Sequence, residues 1–301
     1  MGTEEYAEMS TPDEHTHMST VANHLQKEAG KPRITQYPSV QRIGRILWLL
    51  IVGAVSTLAL WLLFVKFVHM DALVKKSPMQ VWDYLFTVKK TPANRSALFG
   101  ALRTTMGNLL IGYVVGLAAG VIVSSIFLLS PAIRRTFLPF ALLLRSVPLI
   151  VMTPIIGLVF GYTFTSVRVV TAIVTFFPSL VNITLGLESA PKQASDLIAA
   201  YGGSQRTMLF KVRLPYAVPA LFAAMRIAVP GAMVGALLGE WLLTSKGIGH
   251  YLVERPAKFD YTGVWAAVAV IAVVTLVLYA IVGVLETPVL ARFDPERLKE
   301  N

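Results

Sequence analysis

The chain has 301 residues, of which 55% are hydrophobic and 15% charged, and its formal net charge is +10. Soluble domains average about 25% charged residues, and the apolar residues here cluster in nearly uncharged stretches of about 18 or more, which excludes an ordinary soluble domain and predicts an all-α membrane protein. The absence of cysteine excludes disulfides and thiol chemistry. Cytoplasmic lysines and arginines explain the positive charge of a membrane protein, so we expect no nucleic-acid partner.

Residues 1–45 are polar and lack hydrophobic periodicity, which predicts a disordered cytoplasmic tail. The tail has no short apolar stretch followed by a cleavage site of small residues, so we expect no signal peptide. Its neighbouring histidines, His15 and His17, would make only a weak metal site, and no metal is predicted.

Six apolar segments follow, each long enough to cross a hydrocarbon core of about 30 Å at about 1.5 Å per residue. We place them near residues 46–68, 100–129, 136–160, 166–187, 217–241 and 263–286. Lysine and arginine are more frequent on the side that holds the tail, which predicts that both termini are cytoplasmic. The predicted organisation is a tail over 1–45, a transmembrane domain over 46–290 and a cytoplasmic C-terminal tail over 291–301. Between the first two segments, Val81–Phe86 is predicted to form an amphipathic surface element.

Two of the segments carry a small residue at every fourth position, which forms a smooth stripe along one helical face. The candidate helix-packing residues are Gly112, Gly116 and Gly120 in the second segment and Gly231, Gly235 and Gly239 in the fifth. Such a stripe lets another helix approach closely, and that helix belongs either to the same bundle or to a second copy of the chain.

Three ionisable residues lie in or near apolar segments, where a buried charge is unfavourable and marks a candidate functional residue. Arg145 and Arg226 fall about one to two turns from the predicted cytoplasmic ends, so we expect both side chains to reach the lipid headgroups. Glu240 falls at the outer end of the fifth segment, beside Trp241. We expect structural or gating roles for these residues rather than contact with a ligand.

The predicted cytoplasmic loop 188–216 contains a long basic and partly apolar stretch, "DLIAAYGGSQRTMLFKVRLP". Gly202 and Gly203 interrupt a helical pattern, because glycine costs about 1 kcal/mol relative to alanine in a helix interior. Ser204 is well placed to N-cap a second helix, which Leu214-Pro215 is predicted to end. The sequence therefore predicts two short helices joined at a glycine corner.

The second of these helices has an apolar face surrounded by basic side chains. The apolar residues are Met208, Leu209 and Val212, and the basic ones are Arg206, Lys211 and Arg213. This pattern is typical of an interfacial helix that rests on lipid headgroups, and also of a surface that binds a groove in a soluble partner.

The spacing in this loop resembles the EAA loop of binding-protein-dependent ABC importer permeases. Asp196 occupies the position of the glutamate, Gly202 follows six residues later, and nine residues separate that glycine from Val212–Pro215. Leu197 and Ile198 replace the two alanines of the pattern. Over about residues 70–290, stretches such as "LRSVPLIVMTPIIGLVFG" and "GEWLLTSKGIGHYL" are similar to the nitrate/sulfonate/taurine branch of these permeases.

This resemblance implies a type I importer bundle in the cell membrane of a prokaryote, paired with a second copy of itself, two ABC ATPase subunits and an extracytoplasmic substrate-binding protein. The chain would not be an enzyme and would bind no cofactor, since ATP and Mg would bind the ATPase, and the sequence contains no phosphate-binding G-x-x-x-x-G-K-[ST] loop. Loop 188–216 would couple the bundle to the ATPase. The implied coupling residues are Asp196, Gly202, Gly203, Ser204, Arg206, Met208, Leu209, Leu214 and Pro215.

The expected transported molecule is a small polar or anionic organic solute. We choose the side chains that would line its path by their depth in the membrane-spanning segments and by their chemical type. They are Met152, Thr153, Phe176, Phe177, Met233 and Leu237. The predicted outer loops contain several lysines, including Lys75, Lys76, Lys89 and Lys90. These lysines would either attract such an anion or pair with the binding protein, or they would only be solvated or contact lipid headgroups.

A secondary transporter or a passive channel is the alternative function. A secondary transporter would need midplane carboxylates or inverted repeats, and we find neither in the sequence.

Overall fold

The structure is a computed structural model, and it describes residues 40–68, 71, 73–87 and 91–293. The chain divides into two units, Met1–Leu60 and Trp61–Asn301, and the core and the sites considered below lie in the second. All regular structure in the described ranges is helical. The helices are α1 (Val40–Phe67), α2 (Pro78–Phe86), α3 (Thr91–Leu129), α4 (Pro131–Arg145), α5 (Leu149–Phe160), α6 (Phe164–Glu188), α7 (Lys192–Ala200), α8 (Gln205–Met208), α9 (Leu214–Leu243), α10 (Ile248–Ala257) and α11 (Tyr261–Phe293), with a π-helical segment at Leu209–Arg213.

Four continuous helical stretches are long and apolar enough to cross a membrane: α3, α6, Gln205–Leu243 and Tyr261–Leu290. A bent pair, α4 with α5, adds a fifth if it is one span. In α1, Val55–Phe67 forms a shorter apolar helix, so the count of six spans stays a prediction. Helix α1 begins at Val40, inside the range assigned to the tail, and residues 1–39 lie outside the described residues.

The third predicted segment, 136–160, is not one straight helix, which corrects the sequence-based expectation. Helices α4 and α5 meet at an angle of 106°, and the break lies at residues 146–148. Pro148 disfavours a helical conformation of the residue before it and cannot donate a backbone hydrogen bond. The chain therefore turns sharply where a straight span was expected.

Helix α2 confirms the amphipathic element predicted around Val81–Phe86. Ser77 and Gln80 form a capping box, in which each side chain accepts a hydrogen bond from the other residue's backbone N–H. Val81 and Leu85 are buried on one face of the helix.

Helix α6 packs closely against both α3 and α9. A Cβ atom added to Gly112 would lie 2.5 Å from the Cβ of Thr171, and one added to Gly116 would lie 2.5 Å from the carbonyl oxygen of Ala172. On α9, a Cβ added to Gly235 would lie 3.1 Å from the Cα of Thr171. Gly120, Gly231 and Gly239 likewise face α6. Both glycine stripes therefore pack inside the chain, where they bring three helices into close contact.

Candidate functional site

The glycine corner is a compact turn between α7 and α8. Gly202 has a φ of +70°, and the backbone N–H of Gly203 donates to the carbonyl of Ile198 at 2.8 Å, while that of Gly202 donates to Ala199 at 3.0 Å. These two bonds form a Schellman motif, which ends a helix at a residue with a left-handed conformation. The side-chain oxygen of Ser204 accepts from the backbone N–H of Thr207 at 3.2 Å, so its predicted role as N-cap is confirmed.

The helix that follows the corner does not end at Leu214-Pro215, and this prediction was wrong. It passes through the π-helical segment Leu209–Arg213 and continues into α9. The backbone N–H of Leu214 donates to the carbonyl of Leu209, five residues earlier. This wider turn displaces the carbonyls that a proline ring would otherwise contact, so Pro215 enters the helix without breaking it.

The apolar face predicted around Met208 is present, but it is buried within the chain. Met208, Leu209 and Val212 are each less than 10% exposed, and Leu209 packs with Ile183 and Leu187 near the end of α6. The side chains that are exposed around the corner are not those of the predicted apolar face. We use the name corner surface for five of these exposed residues, which are Leu197, Tyr201, Arg206, Phe210 and Lys211. Asp196 is also exposed beside them.

A cavity of about 450 Å³ lies between the α4–α5 bend, α6 and α9. Met152 and Phe177, two of the side chains predicted to line the path, form part of its wall. Phe176 contacts Phe177 edge-on, with 5.3 Å between the ring centroids. Thr153 and Met233 are instead buried in packed core, and Leu237 is partly buried against it.

The two arginines expected to reach the lipid headgroups differ in their contacts within the chain, and their contact with lipid stays a prediction. Arg145 lines the cavity together with Phe177, which lies in the middle of α6. Arg226 forms an ion pair with Glu286 of α11 at 2.6 Å. Arg226 therefore connects α9 to α11 through a paired charge.

Glu240 is fully buried and organises a polar cluster near the C-terminal end of α9. Its carboxylate accepts from the hydroxyl of Thr105 at 2.7 Å, the amide of Asn108 at 3.1 Å and the backbone N–H of Gly249 at 3.2 Å. Asn108 in turn accepts from Arg168 of α6 at 3.3 Å. The cluster thus joins α3, α6, α9 and the start of α10, and three donors satisfy the oxygens of the buried carboxyl group.

The glycines after Glu240 are required by this close packing. A Cβ on Gly247, whose φ is +93°, would lie 2.2 Å from the carboxyl group of Glu240. A Cβ on Gly249 would lie 2.1 Å from the carbonyl oxygen of Leu237. The spacing of Glu240, Gly247 and Gly249 in "GEWLLTSKGIG" is the sequence signal that could have revealed the cluster.

A second cluster, which the sequence analysis missed, joins α2 to α10 and α11. The hydroxyl of Tyr84 donates to Asp260 at 2.8 Å, and Arg255 pairs with the same carboxylate at 3.1 Å. The Arg255 guanidinium lies 4.2 Å from the centroid of the Tyr251 ring. Burial is the main cause that raises the pKa of Tyr84 and of Tyr251, so both phenols stay protonated.

The basic side chains around α10, which the sequence predicts to lie in an outer loop, are partly neutralised within the chain. Arg255 pairs with Asp260, and Lys258 pairs with Glu254, whose pKa the lysine holds below its usual range. Lys246 lines an open cleft of about 290 Å³. Lys89 and Lys90 lie outside the described residues.

Residues 112–290, more than half of the chain, match the family described as binding-protein-dependent transport system inner membrane component. Formylaminopyrimidine transport permease protein ThiX of Halalkalibacterium halodurans is 29% identical over 210 residues, which cover 70% of this chain and 82% of that protein. A probable ABC transporter permease protein of Haemophilus influenzae is 29% identical over 231 residues, or 77% and 91% of the two chains. A putative aliphatic sulfonates transport permease protein SsuC of Bacillus subtilis is 24% identical over 260 residues, or 85% and 91%.

The family match includes the glycine corner, the cavity wall from α6 and α9, and Glu240. The relatives are permease subunits of importer type, and the structure supplies several membrane-spanning helices. The chain therefore belongs to the family of inner-membrane components of binding-protein-dependent transport systems, as a multi-pass ABC transporter permease of a prokaryote.

Proposed function

We propose that this chain is the transmembrane subunit of an ATP-driven importer and forms the path for a small polar or anionic organic solute. An extracytoplasmic binding protein delivers the solute, and two ABC ATPase subunits bind the cytoplasmic loops. ATP and Mg bind those subunits, and this chain holds no cofactor. The observation that carries the proposal is the glycine corner, a fixed turn with the spacing of an EAA loop in a chain of the binding-protein-dependent family.

The corner is built to transmit motion from a docked ATPase into the bundle. Gly202 and Ser204 fix the turn, and the helix beyond it runs without a break from Gln205 to Leu243. Because a helix is stiff along its axis, a displacement at the corner moves the far end of α9 as well. That end carries Glu240, and Val234 on the way there lines the cavity.

The exposed apolar side chains of the corner surface are the natural contacts for the ATPase. Tyr201 is 85% exposed and Phe210 is 67% exposed, and Arg206 and Lys211 add positive charge. Aromatic anchors with arginine beside them are typical of protein–protein interfaces. We therefore assign docking to this surface, and assign Met208 and Leu209 the role of fastening the corner to α6.

A second copy of the chain is part of the proposal, because a symmetric path needs two subunits around one axis. Large apolar side chains such as Leu158 and Val159 of α5 are 76% and 70% exposed, and either lipid or a second copy would cover them. Native mass spectrometry of the detergent-solubilised complex tests this arrangement. Two permease chains per complex are expected, and a complex with a single chain would contradict it.

The coupling role is tested with corner variants of the full chain. We expect Gly202→Pro and Arg206→Glu to weaken association with the co-purifying ATPase by about tenfold or more, because the first distorts the turn and the second reverses a charge at the contact. Arg135→Glu is the matched control, since Arg135 is an exposed arginine near the start of α4 and does not belong to the corner surface. Melting curves check that all three variants fold. Wild-type association and ATP turnover in both corner variants would exclude a docking role.

A further inference from the structure

Helix α2 has two opposite faces, and the described residues cover only one of them. Val81 and Leu85 are buried in a cluster with residues of α3, α10 and α11. Met79, Trp82 and Phe86 lie on the other face, and each is more than half exposed. The rings of Trp82 and Phe86 are in contact, with 4.4 Å between their centroids, so the exposed face of α2 forms one apolar surface.

The covered face shows the level of α2 along the membrane-spanning helices. Val81 and Leu85 pack in the same cluster as Ala266 and Ala267 of α11. The span Tyr261–Leu290 has 30 residues and is about 45 Å long, so a centred hydrocarbon core of about 30 Å begins about five residues from its start. Ala266 lies at this position, and α2 therefore lies where the hydrocarbon core meets the headgroups.

Two further tryptophans lie at the same level. The rings of Trp61 and Trp265 are stacked with 5.5 Å between their centroids, and Nε1–H of Trp265 donates to the carbonyl of Val74, just before α2, at 2.9 Å. Tryptophan is enriched where a membrane meets water, because its ring is apolar and its N–H needs a hydrogen-bond partner. The tryptophans therefore support a position of α2 at the membrane surface.

A basic side chain lies beside the exposed face of α2. Arg95 of α3 is exposed, and its guanidinium carbon lies 5.8 Å from the centroid of the Phe86 ring. The ion pairs among the described residues do not include Arg95. A phospholipid matches this arrangement, since its acyl chains suit the apolar side chains and its phosphate suits the guanidinium.

We propose that the exposed face of α2 binds a phospholipid at the membrane surface. Met79, Trp82 and Phe86 contact the acyl chains, and Arg95 binds the phosphate. Because Gln205–Leu243 runs from the glycine corner towards α10, which packs with α2, this lipid belongs to the leaflet opposite the corner. The inference requires a membrane protein and does not depend on the proposed importer function.

The bound lipid would hold α10 in place through α2. The hydroxyl of Tyr84 on α2 donates to Asp260, and Arg255 of α10 pairs with the same carboxylate. At its other end α10 is attached to α9, because the backbone N–H of Gly249 donates to Glu240. Helix α2 therefore lies between the lipid and the element that packs on the Glu240 cluster.

The depth of the exposed face can be measured directly, because the chain contains no cysteine. A spin label is attached to Trp82→Cys in the full-length chain, which is reconstituted in liposomes of phosphatidylcholine and phosphatidylglycerol. Thr87→Cys is the matched control, since Thr87 is an exposed polar residue at the end of the same helix. Collisions with oxygen report the acyl region, and collisions with a water-soluble nickel chelate report water. We expect the label at position 82 to favour oxygen and to lie about 5–10 Å below the phosphates, and the label at position 87 to favour nickel.

A second measurement tests the contact with the phosphate. Phosphatidylglycerol is added to the detergent-solubilised chain, and native mass spectrometry gives the fraction of chains that retain it. We expect Arg95→Gln to lower this fraction at least about threefold, because the charge-assisted hydrogen bonds are lost. Arg95→Lys should retain part of the binding, since it keeps the charge without the planar guanidinium.

Three kinds of result would overturn the proposal. If the nickel chelate reaches positions 82 and 87 equally, the exposed face lies in water, and protection that appears only with the binding protein would make it a docking surface for that protein. Dipolar broadening between labels at position 82 of two chains, with neither reagent reaching them, would make the face an interface between copies. Equal lipid retention by Arg95→Gln and the wild-type chain would exclude the phosphate contact. None of these results bears on ATPase association, so the corner variants still decide the importer function.

Discussion

At the scale of single residues, buried charge in this chain is held by partners that are far away in sequence. Glu240 accepts hydrogen bonds from Thr105 and Asn108, which lie 135 and 132 residues earlier. Arg226 of α9 pairs with Glu286 of α11. A buried carboxyl group is tolerated when hydrogen bonds replace the lost water, and Glu240 meets that condition. Arg226 and Glu286 are only partly buried, and each supplies the opposite charge to the other.

Removing the carboxylate of Glu240 is predicted to destabilise the bundle. Glu240→Ala leaves the hydroxyl of Thr105, the amide of Asn108 and the N–H of Gly249 without their acceptor, and each unsatisfied buried donor costs about 1–3 kcal/mol. We expect the free energy of unfolding to fall by about 3–5 kcal/mol, measured as a lower melting temperature in detergent. Glu254→Ala is the control, because it removes only the surface ion pair with Lys258, which is expected to contribute less than about 1 kcal/mol. Equal melting temperatures for the two variants would contradict the structural role of the cluster.

At the scale of helices, α6 is the element on which the bundle is assembled. Helices α3 and α9 approach it along their glycine stripes, and three of its buried hydroxyls are bonded within the helix, as for Thr171, which donates to the carbonyl of Val167. Side-chain hydroxyls that bond within the helix leave no polar group exposed to the apolar interior. Close contact between helices then depends on residues without a Cβ.

Two glycines of α3 offer a direct comparison. Gly116→Ala would place a Cβ atom 2.5 Å from the carbonyl oxygen of Ala172, so we expect a loss of about 1–3 kcal/mol in stability. A Cβ on Gly107 meets no described atom within 4 Å, and Gly107→Ala should be neutral or stabilise the helix by up to about 1 kcal/mol. Melting temperatures of both variants check this prediction. If Gly116→Ala melts no lower than Gly107→Ala, α3 does not depend on close contact with α6.

The exposed and the buried side chains around the corner are predicted to have separate functions. Tyr201→Ala should weaken association with the ATPase by about tenfold while the melting temperature of the permease stays unchanged, because Tyr201 is 85% exposed. Met208→Ala should instead lower the melting temperature, since truncation of a buried methionine costs about 2–5 kcal/mol. Pull-down with the ATPase and a melting curve are measured for each variant. The opposite pattern would show that the docking face is the one predicted from the sequence.

The features that sequence analysis predicted correctly are the local ones. The turn at Gly202 and the N-cap at Ser204 depend on residues within a few positions, so the spacing alone predicts them. The continuation of the helix past Pro215 depends on a π-helical turn that no residue pattern indicated. The partners of Glu240 are distant in sequence and were not predictable from one chain, and neither was the exposure of Phe210 instead of Leu209.

At the scale of the whole molecule, one long helix connects the proposed functions of the unit Trp61–Asn301. Gln205–Leu243 begins at the glycine corner, passes the cavity at Val234 and ends at the Glu240 cluster. Motion at the glycine corner can therefore reach both the cavity and the Glu240 cluster. Under the proposed importer function, this continuity is the physical route by which ATP hydrolysis on a partner would be coupled to movement of a solute.

The most direct test of this account is the ATP dependence of solute uptake by the complex. The permease and its co-purifying ATPase are reconstituted in liposomes with the binding protein, and the ligand that co-purifies with that binding protein is measured in the lumen by mass spectrometry. We predict uptake only with hydrolysable ATP, and no uptake in liposomes that contain the Gly202→Pro permease. Uptake at the same rate without ATP, driven by an ion gradient or by the solute gradient alone, would contradict the account and favour a secondary transporter or a channel.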